Sequence, residues 1–149
     1  MASASREIVV NAPPEQVFTY VADVSKHGEW GNPQHKLEVR KTSEGPVGQG
    51  SVFASVGHQF GRNEDTITIT EFTPGRRVAY QSDGNAGLMQ HTFDIEPADG
   101  GVRLTKTFEP LKPKFPFALL APVAIRMVVP KGLQGDLERI KAHLEGGAS

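Results

Sequence analysis

Two ionisable residues fall on the apolar side of two consecutive predicted strands. Side chains alternate between the two faces of a strand, and in residues 89–95 His91 shares its face with Met89, Phe93 and Ile95. In the next strand Lys106 shares its face with Val102, Leu104 and Phe108. An imidazole can take up or release a proton, and an ammonium group can stabilise an oxyanion. The pair could therefore take part in acid–base chemistry or make polar contacts to a bound molecule.

Burial of His91 or Lys106 is costly unless each is paired or solvated. One interpretation is that they reach polar partners such as Asp65 and Arg126. A second is that they line a cavity that holds water or a ligand. His91 could also be a satisfied core histidine, Lys106 could extend to the rim of the sheet, and a β-bulge would turn either residue outward.

Motifs of the common catalytic classes are absent from the sequence. It contains no Gly-x-Ser-x-Gly elbow, no phosphate-binding loop of the Walker type and no His-Glu-x-x-His. It has no cysteine, and its five histidines are scattered one per predicted element. Zinc sites need clustered ligands, so the sequence predicts no metal and no cofactor.

Length and charge restrict the classes of partner. The 149 residues predict one domain over 1–149. Because 16 Lys and Arg stand against 17 Asp and Glu, we expect no nucleic-acid partner. The first six residues lack the apolar stretch of a secretory signal, so we expect the cytoplasm.

The elements that must position these residues begin with a strand and a helix. The apolar run Ile8–Val10 ends at Asn11, and Pro13 and Pro14 fall at the first helical positions, where a missing N–H costs little. Apolar residues at spacings of three and four then form one stripe: Val17, Phe18, Val21 and Val24. Gly28 to Pro33 end the helical structure around the only tryptophan, Trp30, which could cover an opening or pack in the core.

A meander of antiparallel strands is predicted from residue 35 to 109. Thr66–Thr70 alternates threonine with isoleucine, which suits a strand whose Ile67 and Ile69 face a core. Turn residues separate the strands, including Gly57–Gly61. Tyr80 follows Val78 at strand spacing and could face inward. The last helix has a stripe of Leu133, Leu137, Ile140 and Leu144, polar residues including Asp136 and Arg139 opposite, and a stop at Gly146–Gly147.

The segment before the last helix, residues 114–130, is apolar almost all round. Pro122, Arg126 and Pro130 interrupt it, so it is too broken for a membrane span, which needs roughly 20 apolar residues. It could be the buried start of a helix, the wall or lid of a cavity with a proline kink, or a segment that docks transiently on a membrane surface. We expect no stable membrane insertion.

Three segments together carry a family resemblance: Arg6 to Pro33, Thr73 to Tyr80, and Gln90 to Glu109, followed by the amphipathic last helix. In this order they resemble the polyketide cyclase/dehydratase and lipid-transport superfamily, the START-like or Bet v 1-like proteins. The resemblance implies an α+β helix-grip fold. Such a fold has a curved antiparallel sheet of about seven strands, two short helices after the first strand, and a long C-terminal helix that encloses a hydrophobic cavity.

The resemblance also implies a ligand. We expect a hydrophobic small molecule, such as a lipid, polyketide, isoprenoid or aromatic compound, bound by a carrier or binding protein. The alternative is a cyclase or dehydratase in which His91 is the general acid or base and Lys106 or Arg126 stabilises an enolate. The expected ligand contacts are Trp30, Ile67, Ile69, Tyr80, Met89, His91, Phe93, Lys106, Phe108, Ala121, Ile125, Arg126 and Val128.

Overall fold

A seven-stranded antiparallel sheet organises the computed structural model, which describes residues 3–58 and 61–146. The order of the strands across the sheet is β1-β7-β6-β5-β4-β3-β2, so consecutive strands from β2 onward are neighbours and β1 pairs with β7. The predicted meander and strand number are confirmed. The strands are β1 (Ala4–Val10), β2 (Glu38–Lys41), β3 (Val52–His58), β4 (Arg62–Thr73), β5 (Arg77–Gly84), β6 (Gly87–Ala98) and β7 (Gly101–Pro113).

Two short helices follow β1, as predicted. The first is α1 (Pro14–Ala22), with proline in its first turn and its stripe of Val17, Phe18 and Val21 buried. The second is α2 (His27–Trp30), which ends at the tryptophan. Short 3₁₀ turns at Val24–Lys26 and Pro33–His35 flank α2 and lead the chain to β2.

The C-terminal part of the chain consists of two helices, α3 (Phe117–Met127) and α4 (Val129–Gly146), which are bent by 60° relative to each other. Pro130 stands at this break. Its missing N–H cannot donate to the carbonyl of residue 126, and its ring clashes there, so a straight continuation is unfavourable. Within the described part of the chain no single helix is long and apolar enough to cross a membrane, although the bent pair passes that test by length and composition.

The main core lies between one face of the sheet and the helices α1 and α4. From α4 it contains Leu137, Ile140 and Leu144, and from β4 it contains Ile67 and Ile69. The predicted stripe of α1, the inward residues of β4 and three of the four predicted stripe residues of α4 therefore lie in the same core, whereas Leu133 belongs to a second cluster. Their burial excludes water from apolar side chains, which is the main stabilising contribution in such a core.

Helix α3 rests on a second, smaller cluster. Its Ile125 packs with Ala4 of β1 and Leu133 of α4, and Phe108 of β7 lies partly buried against them. This cluster holds α3 near the edge of the sheet where β1 pairs with β7. Ala121 of α3 is buried as well, and the side of the helix that faces away from the sheet is exposed to solvent.

Two sequence predictions extend beyond the described residues. The turn predicted at Gly57–Gly61 includes positions 59 and 60, and the helix stop predicted at Gly146–Gly147 includes position 147. These three positions lie outside the part of the chain that the structure describes.

Candidate functional site

Cross-strand pairing brings the predicted polar residues together on the core side of the sheet. Tyr80 of β5 lies opposite His91 of β6, and His91 lies opposite Phe108 of β7. Two residues further along β6, Phe93 lies opposite Lys106 of β7. Residues directly opposite each other on antiparallel strands point to the same face, so these five side chains form one patch.

Trp30 covers this patch from α2. Its side chain is fully buried, its ring stacks on His27 at 4.0 Å between ring centroids, and it forms a T-shaped pair with Phe93 at 5.6 Å. Core packing of Trp30 therefore agrees with the structure, and the alternative that its ring covers an opening stays a prediction. We call His27, Trp30, Tyr80, His91, Phe93 and Lys106 the inner cluster.

Lys106 is only 3% exposed and is neutralised from α4. Its Nζ lies 3.2 Å from Oδ2 of Asp136, 4.6 Å from the centroid of the Trp30 ring and 5.4 Å from that of Phe93. A cation over an aromatic face is attracted by the electrons of the ring. The ion pair and the two rings together account for a charged group in an apolar interior.

Asp136 binds a second cation. Its Oδ1 lies 3.0 Å from Nη2 of Arg139, whose Nε donates to the backbone carbonyl of Trp30 at 2.7 Å. One carboxylate thus connects α4 to β7 through Lys106 and to the end of α2 through Arg139. This bridge fixes the helix that closes the interior relative to the polar groups on the sheet.

His91 lies between polar and aromatic neighbours. Its Nε2 is 3.2 Å from the hydroxyl of Ser82, and its ring stacks on Tyr80 at 4.8 Å and meets Phe108 at 5.2 Å. Ser82 is itself buried. The strand register keeps the imidazole in this position, because Ser82 and His91 come from adjacent strands, β5 and β6.

Burial dominates the electrostatics of the inner cluster. Desolvation, and then the nearby Lys106 charge, lower the pKa of His91 to about 3. The same two causes, followed by His91, hold the pKa of His27 well below its ordinary value. Desolvation, and then the Asp136 charge, raise the pKa of Tyr80. At neutral pH both imidazoles and the phenol are therefore uncharged, and each can act as a neutral hydrogen-bonding group.

Four buried polar atoms of the inner cluster have no hydrogen-bond partner among the described residues. They are Nδ1 of His27, Nε1 of Trp30, the hydroxyl of Tyr80 and Nδ1 of His91. Native interiors satisfy most buried polar atoms, because an unsatisfied one costs about 1–3 kcal/mol. Two of the four, the indole N–H and the phenol O–H, are donors, so the arrangement can accept a molecule that presents oxygen acceptors.

The other predicted ligand contacts lie on the sheet and on α3. Ile67, Ile69 and Met89 are buried on the sheet, and Met89 lies opposite Ser82 in the strand register. Phe108 touches both His91 and the smaller apolar cluster under α3. Ala121 and Ile125 are the buried residues of α3.

Arg126 and Val128 do not lie where the sequence interpretation put them. Arg126 is exposed on α3, and Val128, at the end of that helix, is 62% exposed. Ile125 packs on Ala4 and Leu133, whereas Arg126 lies about 100° further round the helix and Val128 follows its last residue. Neither residue faces the inner cluster, and the partner of Lys106 is Asp136, instead of the Asp65 or Arg126 considered from the sequence.

Four residues of this site were missed from the sequence: His27, Ser82, Asp136 and Arg139. The periodicity of α4 assigned Asp136 and Arg139 to its polar side, whereas the structure places their side chains 15% and 35% exposed. One signal in the sequence could have led to Asp136: a buried Lys106 needs a carboxylate as its partner. Asp136 directly precedes the buried Leu137, so it lies at the margin of the apolar stripe.

Other features of the described residues lie apart from the inner cluster. A depression of about 490 Å³ is lined by residues of β2, β3 and β4, which include the charged Arg40, Arg62 and Glu64 and the apolar Val39 and Val56. Within residues 3–58 and 61–146 no three His, Asp or Glu residues are arranged to hold a metal ion. The enclosed hydrophobic cavity expected from the family resemblance stays a prediction.

The sequence of this chain matches a known protein family. The family described as polyketide cyclase/dehydrase and lipid transport matches residues 1–145. Comparison with curated proteins gives no match.

Three solved structures illustrate the likeness. A START superfamily protein from Mycobacterium smegmatis has a TM-score of 0.78 at 15% identity, over 97% of this chain and 98% of its own. Protein CV1439 from Chromobacterium violaceum has 0.71 at 21%, over 97% and 99%. The di-domain ARO/CYC StfQ from the steffimycin biosynthetic pathway has 0.75 at 17%, over 99% of this chain and 51% of its own. The fold and the family match agree, and the chain belongs to the polyketide cyclase/dehydrase and lipid-transport family.

Proposed function

We propose that this protein binds a hydrophobic small molecule that carries oxygen functions, and that the inner cluster recognises the oxygens. The apolar surroundings come from the buried side chains of the sheet, among them Ile67, Ile69 and Met89. Binding sites for such ligands are mostly apolar, with a few polar groups that fix orientation. The family description, which includes lipid transport, supports the same class of ligand.

The observation that carries the proposal is the set of four unpartnered polar atoms around Phe93. Structural polar networks in cores are normally complete, since each missing partner destabilises the fold. Here the unsatisfied groups belong to neighbouring rings of α2, β5 and β6, and none has a hydrogen-bond partner among the described residues. A ligand with carbonyl or hydroxyl oxygens would provide the missing partners and would offset their cost on binding.

Binding is favoured over catalysis by the charge states. An effective general base has a pKa near the working pH, whereas the pKa of His91 is about 3. Lys106 is already paired with Asp136, so its charge is largely neutralised before any substrate arrives. A neutral imidazole beside a paired lysine suits hydrogen bonding to a ligand better than proton abstraction.

Native mass spectrometry of the protein purified from its own host tests the proposal directly. We expect a retained apolar molecule. Titration with a long-chain fatty acid, a quinone and an aromatic polyketide mimic should then change the emission of Trp30 saturably for at least one of these classes. Because the ring is already buried, quenching is a more sensitive sign than a blue shift. An empty protein whose emission ignores all three probes would contradict the proposal.

A cyclase or dehydratase activity is the second candidate. It is favoured by the contact between Ser82 and His91 Nε2, which orients the imidazole on the core side of the sheet. One structural neighbour is an ARO/CYC protein from a biosynthetic pathway. In this case His91→Ala and Lys106→Met should each lower turnover of an aromatic polyketide mimic by about a hundredfold or more. A binding protein would show altered affinity and no turnover to lose.

We further propose that residues 1–149 act as one binding domain in the cytoplasm. The family match over residues 1–145 supports the first part. Limited proteolysis that releases a stable shorter fragment would contradict it, and fractionation of the host cell tests the second.

A further inference from the structure

The side of α3 that faces away from the sheet presents large apolar side chains to solvent. Leu119, Val123 and Met127 recur at a spacing of four and are 73%, 57% and 66% exposed, and Leu120 beside them is 59% exposed. Residues four apart lie one above the other on a helix, so they form one continuous stripe. We call these four residues the outer face of α3.

Such a stripe is unusual on a protein surface. Of the described residues outside 115–128, only Val9 is an exposed large apolar residue, at 37%. Contiguous exposed apolar patches mark sites of interaction with proteins, membranes or ligands. The outer face of α3 is therefore a candidate interaction surface, separate from the buried inner cluster.

Cations surround this stripe, and carboxylates are missing from it. Residues 110–135 contain four of the 16 Lys and Arg of the chain and none of its 17 Asp and Glu. Lys114 and Lys131 are exposed on either side of α3 in the chain, and Arg126 is exposed three residues after Val123. The rest of the chain is correspondingly acidic. The positive charge is thus concentrated around the apolar stripe.

This combination selects a partner of defined chemistry. An apolar helix face with flanking cations matches an anionic lipid surface, where the side chains enter the acyl boundary and the cations meet the headgroups. A second copy of the chain fits poorly, because two outer faces in contact would bring together the same cations without a carboxylate. We propose that the outer face of α3 docks this protein on anionic lipid bilayers.

The way in which α3 is held agrees with docking. The helix diverges by 60° from α4 and rests on the small cluster of Ala4, Ile125 and Leu133, so its outer face projects beyond the main core. Below it, Phe108 belongs to that cluster and also touches His91 of the inner cluster. The lipid-facing helix is therefore two contacts away from the polar interior.

Sedimentation with large vesicles tests the docking without knowledge of any ligand. We expect the protein to bind vesicles of phosphatidylcholine with 30% phosphatidylserine and to bind pure phosphatidylcholine weakly. Lys114→Glu combined with Arg126→Glu should lower the partition coefficient on anionic vesicles about twentyfold or more, since each cation contributes about fivefold. Leu119→Ser with Val123→Ser should also abolish most binding.

Matched controls keep the test specific. Arg40→Glu with Arg76→Glu makes the same change of charge at exposed positions away from α3, and Val9→Ser removes an exposed apolar side chain elsewhere. Both control variants should leave vesicle binding unchanged. Because the chain has no cysteine, Met127→Cys and Glu96→Cys each take a single environment-sensitive dye. Only the dye at residue 127 should shift its emission to the blue on anionic vesicles.

Several outcomes would overturn the proposal. These are absence of binding to anionic vesicles, equal binding to neutral ones, and unchanged binding by the α3 variants. A concentration-dependent dimer that Leu119→Ser with Val123→Ser dissociates, without vesicle binding, would assign the outer face to a second copy instead. Each result is independent of whether the inner cluster binds a ligand.

Discussion

Lys106 Nζ lies 3.2 Å from Asp136 Oδ2 in the interior, and this ion pair connects the sheet to the last helix. The lysine comes from β7 and the aspartate from α4. Because both side chains are largely buried, solvent screens their attraction much less than it screens a surface pair. The pair therefore joins the stability of the fold to the organisation of the candidate binding site.

Removal of one partner of this pair should be more harmful than removal of both. Asp136→Asn leaves a buried cation without its anion, and we expect a loss of about 3–5 kcal/mol in the free energy of unfolding. Lys106→Met places an apolar side chain against Trp30 and Phe93, so the double variant should lose less than the sum of the singles. Urea unfolding measures all three. The exposed pair Arg103–Glu7 is the control, and Arg103→Met should cost less than about 1 kcal/mol. Strictly additive effects would contradict this coupling.

The free energy of unfolding should decrease as the pH is lowered below the pKa of histidine in the unfolded chain. The folded-state pKa of His91 is about 3 and that of His27 is also lowered, so the unfolded chain binds more protons in acid. Protonation then favours unfolding, and stability is complete above about pH 6.5 and decreases toward pH 3. Each histidine contributes a slope of up to about 1.4 kcal/mol per pH unit. His91→Gln should flatten the slope measured by urea unfolding between pH 6 and 4.

Loss of the Tyr80 hydroxyl should have opposite effects on stability and on affinity. The hydroxyl is buried without a partner, so Tyr80→Phe should raise the free energy of unfolding of the empty protein by about 1 kcal/mol. The same change should weaken binding about five- to tenfold for whichever of the fatty acid, the quinone and the polyketide mimic binds.

The other tyrosine is a matched control. Tyr20 donates to Glu29 at 3.0 Å, so Tyr20→Phe should lower stability slightly and leave affinity unchanged. Calorimetric titration and thermal unfolding separate the two quantities. Equal losses of stability for both variants would show that the Tyr80 hydroxyl is satisfied in the empty protein.

Two alanines of α3 distinguish a cavity wall from a solid core. Ala121 is buried against the protein and Ala118 is exposed on the same helix. If α3 walls a cavity, Ala121→Trp should fill it and block the probe while folding survives, and Ala118→Trp should change neither. Overpacking of a filled core instead costs typically about 1–3 kcal/mol. A large loss of stability at Ala121 without any effect on affinity would place the ligand elsewhere.

The fold was predictable because its signals are local. The alternation in Thr66–Thr70 and the apolar stripe of α1 depend only on neighbouring residues. Their apolar side chains are buried as predicted: Ile67, Ile69, Val17, Phe18 and Val21. Alternation also identified His91 and Lys106 as residues of the same face, which the strand register brings close to Tyr80 and Phe93. Side-chain periods of two and 3.6 residues carry this information.

The rest of the site depends on contacts that no local pattern contains. Asp136 lies 30 residues from Lys106 in sequence, and the period of α4 alone assigned it to the polar side. In α3 nearly every position is apolar, so periodicity could not decide which side faces the protein. Contact of Ile125 with Ala4 and Leu133 made that choice, and it left Arg126 and Val128 at the surface.

The pairing of the first strand with the last has a consequence for the order of folding. Strands β2 to β7 form successive hairpins, which need only short loops, whereas β1 must wait for β7. The backbone N–H of Asn11 donates to the carboxylate of Glu145, and the two residues are 134 positions apart. Closure of such a long loop is entropically expensive and slow. We therefore expect β1 to dock on the sheet only after β7 has been synthesised and the hairpins of β2 to β7 have formed.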